Sequence, residues 1–262
     1  MISVSTAEIN AWIAAFIFPL ARILATLAAA PPYNNPALPP RVLLILGLAI
    51  TFAISPLLPA IAVDPASGTG LLVLAQQLVI GFGMGFAMRL VFTAVDMAGT
   101  MISLQMGLGF ASSYDPLTAG QTGVVSEFLG MLALLIFMAV NGHAMVMATL
   151  LQGFTAMPIG APMPGAATWW NLAASASLIF ASGLLLALPI VVTLLIGNLA
   201  LAVLSRAAPQ LNLMAIGFPL TITLGFAALL LGLSHLSAPL LQLFEQGLQT
   251  MLGQFSPADI RR

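Results

Sequence analysis

Leu172 to Leu204 reads LAASASLIFASGLLLALPIVVTLLIGNLALAVL, 33 residues without one charged side chain. Apolar residues occupy every side of this run instead of alternating, so it is no half-exposed strand, and as a helix at 1.5 Å per residue it extends about 50 Å. A hydrocarbon core of about 30 Å takes only about 20 helical residues. The run must therefore tilt, kink or project, and Pro189 in its middle can supply a kink.

Five further stretches have the same character: Ala11 to Ala30, Val42 to Val63, Leu71 to Val95, Phe128 to Leu151 and Leu213 to Leu233. The third continues past Arg89 and Asp96 to about Met106 with no helix breaker but Gly99. A transmembrane barrel would show alternating segments of about ten residues, so the fold class is all-α: a polytopic helical membrane protein with six long, partly kinked hydrophobic helices. From Pro239 to Phe255, Leu240, Leu241, Phe244, Leu248, Met251, Leu252 and Phe255 share one helical face opposite Gln242, Glu245, Gln246 and Gln249, an amphipathic helix for a surface or a partner. Pro31 to Pro40, Asp64 to Gly70 and Met157 to Gly165 punctuate the chain as loops. No stretch is polar enough to coat a soluble domain, so residues 1–262 read as one helical membrane domain.

Composition closes several function classes. Hydrophobic residues make up 61% and charged residues 5%, against about a quarter charged in soluble proteins, and the mean hydropathy is +1.12. The six basic residues are all arginine and the net charge is −1, which gives no basic field for nucleic acid. Without cysteine there is no disulfide, thiolate metal site or thiol nucleophile. Ala28-Ala29-Ala30 imitates a signal-peptidase site, but the first ten residues carry only Glu8, and Pro19 and Arg22 interrupt the apolar run, so the segment is expected to stay in the mature chain. Six full crossings put Arg41 and Arg206 on one side and Arg261-Arg262 on the other, so the positive-inside signals conflict.

Charges within apolar segments cost about 2.5 to 3.5 kcal/mol on insertion scales and face protein or water. Arg22, Arg89 and Asp96 are such charges; the last two are seven residues apart on one helical face. They read as assembly contacts, with Arg206 at a helix end, or as part of an ion or solute path in a transporter. His143 and His235 show no metal-ligand spacing, and Ser182-Gly183 lacks the glycine that a GxSG hydrolase motif needs two positions earlier, where Phe180 stands. Gly81 and Gly85 form a small-xxx-small surface for close helix packing rather than a dinucleotide fingerprint. The least lipid-soluble segment runs from Gln105 to Gly123: Gln105, Met106, Gly107, Leu108, Gly109, Phe110, Ala111, Ser112, Ser113, Tyr114, Asp115 and Pro116, then Gly120 and Gly123. Its backbone needs protein or water around it, as in a surface connection or in a plug that seals a conduit.

Gln105-Met106-Gly107-Leu108-Gly109 with Asp115-Pro116, Asn141-Gly142-His143, Ala187-Leu188-Pro189, Asn198, Arg206 with Pro209-Gln210-Leu211-Asn212, and Gly217-Phe218-Pro219-Leu220 follow one another in an order that resembles the FliR family of type III export-gate proteins. The resemblance covers most of the chain, and Ile216 to Pro219 look more like the flagellar branch than the injectisome branch. One departure is Gln77, where the family often carries a glutamate. The resemblance implies a non-enzymatic subunit, without cofactor, of an export gate in the bacterial inner membrane at the flagellar basal body. Its implied partners are FliP, FliQ, FlhB and FlhA, and unfolded flagellar subunits are its cargo. It also implies that the loop from about Phe110 to Gly123 plugs the closed pore, and that overlong helices rise out of the bilayer plane.

Overall fold

The structure, a computed structural model, describes residues 5–59, 61, 63–109, 123–208 and 213–253. All regular elements among them are helical. Ser5 starts α1 (Thr6–Ala29) with a reciprocal cap: the Glu8 N–H donates to Ser5 Oγ at 3.2 Å and the Ser5 N–H donates to Glu8 Oε2 at 2.7 Å. The cap satisfies donors that have no carbonyl one turn back. α2 (Pro40–Ile54) opens on proline, whose missing N–H costs nothing at that position, and tightens into a 3-10 turn at Ser55–Leu57. α3 (Gly68–Gln105) has 38 residues, about 57 Å. There follow α4 (Val124–Ala139), α5 (Gly142–Ala156), α6 (Ala166–Ala174), α7 (Ser177–Ala207) and the 41-residue α8 (Leu213–Gly253).

Four boundaries differ from those expected of the sequence. The second apolar segment, expected to run to Val63, stops being helical at Leu57, and Leu58 is already extended. The fourth apolar segment is two helices, α4 and α5, interrupted at Asn141, which has a φ of 57°. A left-handed residue cannot continue a right-handed helix, and asparagine tolerates that conformation better than most. The fifth run breaks at Ser175–Ala176, where Ser175 Oγ donates back to the Leu172 carbonyl at 2.6 Å, while α7 continues through Pro189. The amphipathic segment after Pro239 is the continuation of α8 and not a separate helix. Burial of Leu240, Leu243, Phe244, Leu248 and Met251 holds the helix across the hydrogen bond that proline removes. Leu243 lies inward, and Leu241 is exposed.

The contacts gather in two compact units: Met1–Leu90 with Asn141–Ser175 and Glu245–Arg262, and Val91–Val140 with Ala176–Phe244. In the first, a Cβ on Gly81 would overlap the Arg22 carbonyl and one on Gly85 would come within 2.6 Å of the Thr26 carbonyl, so α1 and α3 touch backbone to backbone. Both sets of partners advance by four residues together, which makes the two helices parallel. Gly47 lets α2 meet Leu24, and Ser55 Oγ donates to the Ala15 carbonyl at 2.9 Å, so α2 runs antiparallel to α1. Between α1 and α2 the Tyr33 hydroxyl donates to the His143 carbonyl at 3.2 Å, and burial pushes its phenol pKa up.

In the second unit Phe92, Phe137 and Phe244 pack ring on ring with centroids 5.0 to 5.7 Å apart, an aromatic cluster that adds specific edge and stacking contacts to area burial. Glycines again mark close approaches: Gly99 against Ser126, and Gly183 against Ala94 and Met97. The outer surfaces carry large exposed apolar side chains, Phe52, Leu57, Trp170 and Leu231 each more than 70% accessible. Such surfaces call for lipid or protein, not water.

Candidate functional site

The C-terminal end of α3 is where the glycine-rich segment begins. Gly107 has φ of 81°; its N–H donates to the Leu104 carbonyl at 3.0 Å, and the Leu108 N–H donates to the Ser103 carbonyl at 3.0 Å. This pair of bonds around a left-handed glycine is the Schellman stop, which satisfies carbonyls left over at the helix end. Met106 is fully buried and seated on Gly225 of α8, where a Cβ would come within 2.6 Å of its side chain. The Thr221 hydroxyl donates to the Met106 carbonyl at 3.4 Å, and the Phe218 ring lies 3.3 Å from where a Cβ on Gly107 would stand. Gln105 to Gly109 therefore form a fixed root. Phe110, Ser112, Ser113, Tyr114, Asp115 and Pro116 lie outside the described residues.

The charged residues separate into different environments. Arg22 on α1 is completely buried: Nε donates to Gln77 Oε1 at 2.7 Å, Nη1 donates to the Gly153 carbonyl at 3.0 Å, and Cζ stands 4.4 Å from the Phe154 ring centroid. One guanidinium thus ties α1 to α3 and α5, using its planar fork and the aromatic face together. Arg22 Nη2 and Gln77 Nε2 have no hydrogen-bond partner among the described residues. Thr26 Oγ1 beside them lies 2.9 Å from the Arg22 carbonyl and 3.0 Å from the Gly81 carbonyl, at the Gly81–Gly85 contact. Arg89 and Asp96 occupy exposed positions on α3. Arg206 is exposed in the last turn of α7, where a cation complements the helix dipole.

Gly153, Phe154, Phe218, Thr221 and Gly225 are the contacts that reading the sequence missed. They join positions 111 to 132 residues apart, and only small residues at helical spacing in α8 hinted at a close contact there. His235 lies 3.1 Å from the adjacent Ser234 hydroxyl through Nδ1. No cluster of three metal-ligating side chains occurs among the described residues.

Long apolar helices, interior packing through glycine, and polar groups spent on tying helices together define a polytopic helical membrane protein. Residues 13–247 match the family model described as bacterial export proteins, family 1. The flagellar biosynthetic protein FliR of Escherichia coli (strain K12) is 42% identical over 239 residues, covering 91% of each chain. That of Pectobacterium carotovorum subsp. carotovorum is 40% identical over 229 residues, covering 87% of this chain and 88% of its own. That of Buchnera aphidicola subsp. Schizaphis graminum (strain Sg) is 33% identical over 229 residues, covering 87% and 89%. The chain belongs to the FliR family of flagellar biosynthetic export proteins.

Proposed function

We propose that the chain is a core subunit of the flagellar type III export gate, forming with FliP and FliQ the pore through which unfolded flagellar subunits cross the bacterial inner membrane at the basal body. FlhB and FlhA are its further neighbours, and the subunit performs no catalysis. The observation that carries this reading is the rooted glycine segment within an export-family chain: Met106 locked on Gly225 and capped by Gly107 gives residues 110–123 a fixed point of attachment. A glycine-rich loop hung from a rigid helix end can block a conduit without binding what passes. A solute carrier built on Arg89 and Asp96 is less well supported, because α3, which holds both, is unbroken from Gly68 to Gln105, whereas carrier sites are built on interrupted helices.

Deletion of residues 110–123 tests the plug. The truncated chain is expected to assemble with FliP and FliQ while the membrane leaks small ions, read as conductance or as growth sensitivity to external ions. A tight membrane around a normally assembled deletion variant refutes the plug role. Loss of assembly by the intact chain when all partners are supplied would refute the gate itself.

A further inference from the structure

Asp96 stands out in the second unit. Its carbonyl oxygen accepts from the Ser126 and Thr100 hydroxyls, each at 2.9 Å, which fixes α4 against α3. Its carboxylate makes no hydrogen bond or ion pair among the described residues and occupies an exposed position. Gly130 of α4 faces it: a Cβ there would come within 3.2 Å of Asp96 Oδ1, so glycine leaves the carboxylate room. Glu127, three residues before Gly130 and so on the same side of α4, is also exposed. On the same two helices Leu104 is 64%, Phe128 44% and Met131 56% accessible, and Thr100, one turn after Asp96, is exposed as well.

Lipid is a poor neighbour for a carboxylate, and exposed leucine, phenylalanine and methionine are poor walls for an aqueous path. Arg206, the basic residue of this unit, makes no ion pair with Asp96 among the described residues. We propose that the α3–α4 face is the docking surface for a helix of a different membrane subunit that presents a lysine or arginine to Asp96. Apolar side chains of α3 and α4 would cover the helix, and the charge pair would fix its register; removed from water, such a pair discriminates strongly against a wrong partner. The inference rests on the export-gate reading only in requiring a hetero-oligomer.

The test uses the full chain in its native membranes, extracted in mild detergent, sized on a native gel and analysed for co-purifying subunits. D96K is expected to cut partner recovery at least tenfold, D96E to retain it, and D96N to fall between them with an unchanged melting temperature for the isolated chain. Changing one basic residue to an acid in a co-purifying subunit should restore recovery with D96K. Normal assembly of D96K, with or without altered ion leak, overturns the docking role and leaves the gate reading standing. Rescue found only within α3 or α4, or a complex made only of copies of this chain, overturns it as well. A wild-type chain that runs alone sinks both readings together.

Discussion

At the scale of residues, the core of the first unit turns on one cation. Arg22 is buried against Gln77, Gly153 and Phe154, and the partner that would balance its charge at that distance is a neutral amide. Gln77→Glu should raise the melting temperature in detergent by a few degrees, because it places a carboxylate where Nε already donates; Gln77→Leu should destabilise the fold by about 1 to 3 kcal/mol, the cost of an unpaired buried donor, and so lower the melting temperature. If the glutamate variant melts lower than wild type, the guanidinium is already balanced by something else. The packing around it is as specific. Gly81→Ala forces a Cβ into the Arg22 carbonyl and should cost about 1 to 3 kcal/mol, whereas Gly165→Ala meets nothing within 4 Å and should be silent. Equal melting temperatures for the two variants would mean that α1 and α3 can separate freely. The small-xxx-small spacing was legible in the sequence; that its target is a backbone carbonyl beside a buried arginine was not, because nothing local encodes a neighbour 59 positions away.

Elements show the same division. Gly107 could be read as a loop glycine, since glycine, serine and proline accumulate after Gln105. In the folded chain it is the left-handed stop of α3, and Met106 before it is a buried knob on α8. Gly107→Ala should cost about 1 kcal/mol for the left-handed conformation, with a further penalty from Phe218. Gly225→Val should do more, since it expels Met106 and frees the root. In the export-gate reading it should produce an ion leak approaching that of the 110–123 deletion, measured in the same assay. A tight membrane with Gly225→Val would show that the loop seals the pore without its anchor. The long helices also follow rules visible in the chain: apolar on nearly every side, they continue for many turns, and the break at Asn141 comes from a left-handed residue. Pro189 and Pro239 end nothing, because buried neighbours on the same helices, Ala187 and Ile190 around the first and Leu240 and Leu243 after the second, outweigh one missing hydrogen bond.

For the whole molecule, the outer surface decides behaviour. Exposed Phe52, Leu57, Trp170 and Leu231, together with α8 at about 60 Å, exceed what one bilayer crossing covers. Co-expression with its partner subunits should therefore raise the chain's melting temperature in mild detergent by well over 5 °C, as binding to the folded state alone requires by mass action. No shift would mean that lipid suffices to cover those surfaces. Composition and periodicity by themselves determined the all-helical class, the apolar segments and the membrane setting, since each depends on how many consecutive residues avoid water. The ordered motifs pointed to the export family. What only the tertiary structure decided was which polar groups serve the interior and which face outward: Arg22 sealed among three helices, Asp96 left on the surface beside Gly130, Met106 pinned to Gly225. Those assignments depend on which residues meet across 34 to 131 positions of chain, and a hydropathy pattern records how apolar a segment is but not which neighbour it will meet.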